Sequence, residues 1–274
     1  MADILYRSRS KVEEDRVISY NISMNMFQVS PPTRFDLNFS VAGIPVRVHP
    51  LFWFIALLLG LSSKSIFGIF IWLIVIFVSI LIHELGHAFA FRRFGQPSYI
   101  ILHFSGGLTV PESLPWGTGY ATVRLTPNQN ILVSLAGPFA GFLLAALVIG
   151  VGVAMGGEIS TPSLLGLIPF PLVLLPNNNV LLNQFFVTFL WVNIFWGLIN
   201  LLPVIPLDGG NVMRYFLIQR DPWNGMRTAL WVSVVTGGIA AVIGITVLNS
   251  IYMAFLFGML AFQSFQLLQT GGRF

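Results

Sequence analysis

The 274-residue sequence predicts an all-α polytopic membrane protein of about six transmembrane helices, with a small membrane-associated β-hairpin. Three observations predict it. First, 55% of residues are hydrophobic and only 9% charged, with a mean hydropathy of +0.82, whereas soluble domains carry about 25% charged residues. Too few charges remain to coat a folded surface in water, so lipid is the solvent for most of the chain. Second, six apolar segments approach the roughly 20 residues that a spanning helix needs. Third, Lys and Arg fall almost wholly on one side of those segments, as the positive-inside rule requires. An ordinary cytosolic globule, a disordered chain and a nucleic-acid binder are excluded. The formal charge of +4 comes from 14 Lys+Arg against 10 Asp+Glu and describes topology rather than an acidic partner. The absence of cysteine excludes disulfides, thiolate zinc ligands and a thiol nucleophile.

In chain order, residues 1–40 read as a flexible cytoplasmic tail and 41–270 as the integral-membrane domain. The first 32 residues are polar, lack hydrophobic periodicity and end in Pro31-Pro32. They are no signal peptide, because the first long apolar run starts at Leu51. Residues 35–48 alternate, with Gly43 and Pro45, and predict a short strand entering the membrane. The spans are 48–61, 66–94, 130–155, 183–202, 226–248 and 250–268. A further apolar stretch, 164–175, is crowded by Pro162, Pro169, Pro171 and Pro176 and reads as a re-entrant or interfacial loop. With six spans and both termini cytoplasmic, Lys64 is the one basic residue outside. Between the second and third spans, 99–104 and 106–110 predict two short strands about Gly106-Gly107. Their edges must be paired, because an open edge facing lipid is not viable; a hairpin at the membrane surface could also pair with an extended guest peptide.

The second span contains His83-Glu84-Leu85-Gly86-His87. Residues four apart share a helix face, so both imidazoles can bind one metal ion, while Glu84 beside that face is suited to take a proton from a metal-bound water. A charge at the bilayer centre costs roughly 2.5–3.5 kcal/mol on the insertion scale, so three such groups in one turn need compensation, which a divalent cation supplies. A catalytic zinc takes three protein ligands. The other acid in the apolar region, besides Glu84, is Asp208, behind a helix broken by Pro203 and Pro206. Irregular backbone at that depth is tolerated where it lines protein or a wet cavity. His87 precedes Arg92 by five residues and Asp208 precedes Arg214 by six, so both lie roughly 8–9 Å from a cytoplasmic arginine if the chain is helical. The shared depth favours a single site near the cytoplasmic face.

His83-Glu-Leu-Gly-His87, together with Asn200-Leu-Leu-Pro203-x-x-Pro206-Leu-Asp208-Gly209, resembles the site-2 protease family of intramembrane zinc metalloproteases. The opening from Val41 to His49 is similar to its bacterial and archaeal six-span branch. The resemblance implies hydrolysis of peptide bonds in or next to transmembrane segments of membrane-protein substrates, as in regulated intramembrane proteolysis. It implies one Zn2+ per chain held by His83, His87 and Asp208, with Glu84 activating the water. The oxyanion needs a further donor; Asn200 is the candidate, and capping freed backbone at the helix break is its other role. Where the family often shows G-P-x-x-N in its third span, this chain has Gly137-Pro138-Phe139-Ala140-Gly141, which removes a polar substrate contact. Some relatives carry a soluble regulatory domain; none is expected here in cis.

The remaining polar residues invite plainer readings. His49 suits an interfacial histidine bonded to backbone, His103 a surface position, Gly137 and Gly141 close helix packing, and Arg92 and Arg93 topology anchors. A serine protease reading fails because His103-Phe-Ser105-Gly lacks the preceding glycine of a nucleophile elbow. An aspartyl protease reading fails because Glu84 and Asp208, with the histidines around Glu84, are better members of a metal site. A metal-ion transporter using intramembrane His and Asp, or a catalytically silent family member, stays as the alternative; a transporter leaves unexplained the glutamate directly beside the first histidine.

Overall fold

The structure, a computed structural model, describes residues 31–63, 65–112, 125–164, 168–176 and 179–270. Most of the expected tail, together with Lys64, Arg124 and Arg273, lies outside the described residues. Helices dominate, as the composition predicts. They are α1 (Pro50–Gly60), α2 (Ile66–Arg93), α3 (Pro127–Ala154), α4 (Val180–Asn200), α5 (Asp208–Arg220), α6 (Gly225–Thr246) and α7 (Ile251–Thr270). Five of these, α2, α3, α4, α6 and α7, are long and apolar enough to cross a membrane. The first expected span is the short α1, whose 11 residues make about 16 Å of helix. His49 caps it, its Nδ1 accepting the Leu51 N–H, as expected of a backbone-bonded interfacial histidine.

The segment before α1 forms two strands rather than one. β1 (Leu37–Val41) and β2 (Ile44–Val48) turn at Ala42 and Gly43, both with positive φ, a conformation glycine adopts without cost. Arg92 at the end of α2 donates to the Ala42 carbonyl at 2.6 Å, so it clamps this turn. After α2 come β3 (Ser98–His103) and β4 (Gly106–Pro111), the expected hairpin. The four strands form one sheet in the order β1-β2-β3-β4, with β2 and β3 parallel and the outer pairs antiparallel. β3 thus finds a partner on each side, and among the described residues β4 is an edge.

Alternation sends Ile44, Val46 and Val48 inward to meet Ile100 and Leu102 of β3, with Phe52 of α1 and Leu85 and Ala88 of α2. Fully burying each large aliphatic side chain stabilises by roughly 1.5–3 kcal/mol, so this cluster holds the sheet against the His83–His87 stretch of α2. His103 also points into the protein and is buried, contrary to the surface position expected of it; it is the last residue of a strand whose neighbours pack on both faces.

α3 starts at a capping box, Thr126 with Gln129, and has Pro127 in its first turn, a combination that satisfies orphan N–H groups. Pro138 sits inside it. Beyond α3, the proline-rich stretch forms two β-ribbons. β5 (Glu158–Ser160) pairs with β8 (Leu172–Leu174), and β6 (Ser163–Leu164) pairs with β7 (Ile168–Pro169). Val173 and Leu175 join Val75, Val148 and Phe189 in the core at that end of the bundle. Within α4, Trp191–Trp196 is a π-helical stretch, and the buried Asn193 in it donates to Ser79 Oγ of α2 at 2.8 Å and to the Phe189 carbonyl at 2.9 Å.

Candidate metal centre

Three side chains from two helices converge on one point. His83 and His87 stand one turn apart on α2, and Asp208 opens α5 after the loop at 201–207. His83 Nε2 lies 3.1 Å from Asp208 Oδ2 and 3.1 Å from His87 Nε2, and His87 Nε2 lies 3.3 Å from Asp208 Oδ1. Two imidazole nitrogens and two carboxylate oxygens this close repel one another unless a proton or a cation is shared among them. A tetrahedral metal with ligand distances of about 2.05 Å has edges of about 3.3 Å, so the donor set fits a zinc-sized ion. Glu84 offers a carboxylate oxygen within 4.8 Å of both histidine nitrogens, and its side chain is buried.

The surroundings set each donor. His87 Nδ1 donates to the Val133 carbonyl of α3 at 2.7 Å, which leaves Nε2 as the lone pair facing the site; such a backbone partner fixes the tautomer of a ligating histidine. Gly137 of α3 lies behind the pair, where a Cβ would meet His87 Nε2 at 2.2 Å and His83 Nε2 at 2.7 Å. The small-residue pattern at 137 and 141 therefore does more than pack helices: position 137 makes room for the imidazoles. Gly86 brings α2 against the Ala136 carbonyl, and Gly141 faces Asn193.

Asp208 is placed by close backbone approach. A Cβ on Gly209 would lie 2.0 Å from the Leu201 carbonyl oxygen, and one on Gly210 2.4 Å from Val204 C, so only glycine lets α5 start against the loop. The Ile205–Pro206 peptide in that loop is cis. Ser233 of α6 accepts the Ile205 N–H at 2.9 Å and meets Ser264 of α7 at 2.8 Å; Asn211 donates to the Pro206 carbonyl at 3.1 Å. Asn200 ends α4, half-buried, eight residues before Asp208, and makes no side-chain hydrogen bond among the described residues, backbone caps included.

β4 closes the site from the sheet side. Thr109 Oγ lies 2.7 Å from Glu84 Oε2 and 3.0 Å from the Glu84 carbonyl. A Cβ on Gly107 would fall 2.4 Å from Glu84 Cγ. Sequence reasoning missed Thr109, the Val133 carbonyl and the Asn193–Ser79 tie. For the last a signal existed, since Ser79 stands one turn before His83 in an apolar helix.

The arrangement defines an integral-membrane protein with an enclosed His-His-carboxylate centre and a neighbouring glutamate. The family model of peptidase family M50 matches residues 71–242, and the chain belongs to that family, the site-2 proteases. A zinc metalloprotease of Methanocaldococcus jannaschii is 27% identical over 186 residues, covering 66% of this chain and 45% of the relative. Stage IV sporulation protein FB of Bacillus subtilis is 26% identical over 185 residues, covering 66% and 50%. The chain thus spans about half the length of these relatives. The solved structure of a site-2 protease from Methanocaldococcus jannaschii superposes with a TM-score of 0.52 at 21% identity, over 85% of this chain and 95% of that one, which shows the shared fold.

Proposed function

We propose that this chain is an intramembrane zinc metalloprotease, with His83, His87 and Asp208 holding one zinc ion and Glu84 as general acid–base. The observation that carries the reading is the convergence of those three donors to 3.1–3.3 Å with a buried glutamate beside them. Family membership supports it. The chemistry a zinc ion supplies in such a site is a bound water with its pKa lowered to about 7 and a polarised carbonyl. Glu84 takes the proton of the attacking water and returns it to the leaving amine as the C–N bond breaks. Asn200, unengaged at the end of α4, donates to the oxyanion. The edge of β4, unpaired among the described residues, accepts the substrate as an added strand, which exposes its carbonyls singly rather than in a helix.

The substrate is a transmembrane protein or peptide cut in or beside its span. Arg92 and Arg93 end α2 and Arg214 and Arg220 lie on α5, which supports a site near the cytoplasmic face with both termini on that side. The test uses purified full-length chain in detergent with a synthetic transmembrane peptide bearing an Asn-Pro break. The wild type cleaves it, o-phenanthroline stops cleavage, and Glu84→Gln keeps zinc while losing at least about 100-fold in rate, the upper range for general acid–base loss being larger still. Cleavage that survives chelation or Glu84→Gln contradicts the reading; zinc flux through vesicles by Glu84→Gln favours a transporter.

A further inference from the structure

We propose that Thr109 is a positioning residue that holds the Glu84 carboxylate as a base and keeps it from becoming a fourth ligand; the inference rests on the protease reading above. Residues two apart on a strand face the same side, so Gly107 and Thr109 both address α2. They divide the work. Gly107 has no side chain, and the Glu84 stem lies where its Cβ would be. Thr109 supplies a hydroxyl 2.7 Å from Oε2. Among the described residues it is the one side chain that hydrogen-bonds this carboxylate.

The hairpin fixes the hydroxyl in place. Thr109 pairs with Ile100 and Gly107 with Leu102 in the β3–β4 register, and Ile100 and Leu102 are fully buried against Leu85 and Ala88 of α2. A donor carried by that sheet moves with α2 rather than with solvent. The constraint matters because a Glu84 oxygen already lies within 4.8 Å of both histidine nitrogens. A carboxylate free to rotate at that range competes with water for the open position. Holding Oε2 on Thr109 fixes the plane of the group and leaves Oε1, which lies beside Gly107, to take the proton of the reacting water. The hydroxyl also meets the Glu84 carbonyl at 3.0 Å, which by itself would merely pin β4 to α2, so the test must separate the two roles.

Thr109→Val and Thr109→Ser are compared with wild type and Glu84→Gln, as full-length chains in detergent with the Asn-Pro peptide. Positioning predicts that Thr109→Val lowers kcat about 10-fold, the range for loss of a supporting hydrogen bond, with KM within twofold, one zinc per chain and an unchanged Tm. Thr109→Ser restores kcat. In the metal-free protein, the infrared carboxylate band that disappears in Glu84→Gln shifts in Thr109→Val and returns in Thr109→Ser. An unchanged kcat and band in Thr109→Val overturns the proposal. So does a kcat loss that tracks a fall in Tm or zinc content, which assigns Thr109 to strand attachment alone. Wild-type and Glu84→Gln chains cleaving equally would overturn the protease reading instead, and the infrared comparison would still report on Thr109.

Discussion

The α2–α3–α5 region and the α6–α7 hairpin are both apolar, and they are built on different rules. Around the proposed metal centre, glycines stand where any side chain would strike His83, His87 or the loop backbone, as at 137, 209 and 210. Two buried polar side chains there are paired, His87 with Val133 and Asn193 with Ser79, while Arg214 Nε on α5 is buried without a hydrogen-bond partner among the described residues. The α6–α7 pair instead presents Val235, Ile239, Val242, Phe255 and Phe262 outward, and Gly238 and Gly258 have nothing within 4 Å of a built Cβ. Ser233 links it to the site region by accepting the Ile205 N–H. The contrast teaches where this sequence is constrained by chemistry and where by helix packing and solubility in lipid, since within the α6–α7 pair a Cβ on Gly244 would still lie 2.8 Å from Ala254 N.

Substitutions sharpen that contrast. Gly137→Ala drives a methyl onto both imidazoles, so zinc binding and cleavage both fall, by about 100-fold in activity, the upper range when a ligand's support is lost. The same change at Gly238 meets open space; activity stays at the wild-type level and the helix gains up to about 1 kcal/mol. Equal effects at the two glycines, measured by zinc content and cleavage rate, would break the comparison. Ser233→Ala comes next. It strands a buried N–H at a cost of about 1–3 kcal/mol, lowering Tm and loosening the loop before Asp208, so zinc affinity drops while a Val235→Ala control keeps its affinity.

The smallest effect is one of pH. Burial holds the His103 pKa below its usual value, and the nearby His49 and Arg47 add to this. Ser105 donates its N–H to Nδ1, which suits the neutral ring. The unfolded chain therefore takes up the proton first, and stability contributed by this residue is present above about pH 6.5 and lost on acidification below it. Tm measured at pH 7.5 and 5.5 should fall more in wild type than in His103→Gln; equal slopes would remove His103 from the account.

What the sequence disclosed and what it hid follow from locality. Hydropathy located the apolar segments because each is written in consecutive residues, and alternation about Gly106-Gly107 located the hairpin for the same reason. The spacing of His83, Glu84 and His87 is local to one helical turn, and the arginines supplied a depth scale that brought Asp208 to the same level. Thr109 carried no such mark. Its meeting with Glu84 depends on how β3 registers against β2, a parallel pairing across two helices. The Val133 carbonyl is backbone and leaves no trace in residue identity. Gly137 was visible, but glycine that admits a neighbouring helix and glycine that admits an imidazole look alike in sequence. The break of 35–48 into two strands turns on the positive φ of Ala42, which an alanine does not advertise.

The central claim is that two imidazoles from α2 and one carboxylate from α5 share a single zinc ion. X-ray absorption at the zinc edge, on the full-length protein in detergent, tests it most directly. The account predicts about one zinc per chain, with two imidazoles and oxygen donors at about 2.0–2.2 Å, and loss of that signal in Asp208→Ala. Protein without stoichiometric metal, or an unchanged spectrum in Asp208→Ala, would contradict it.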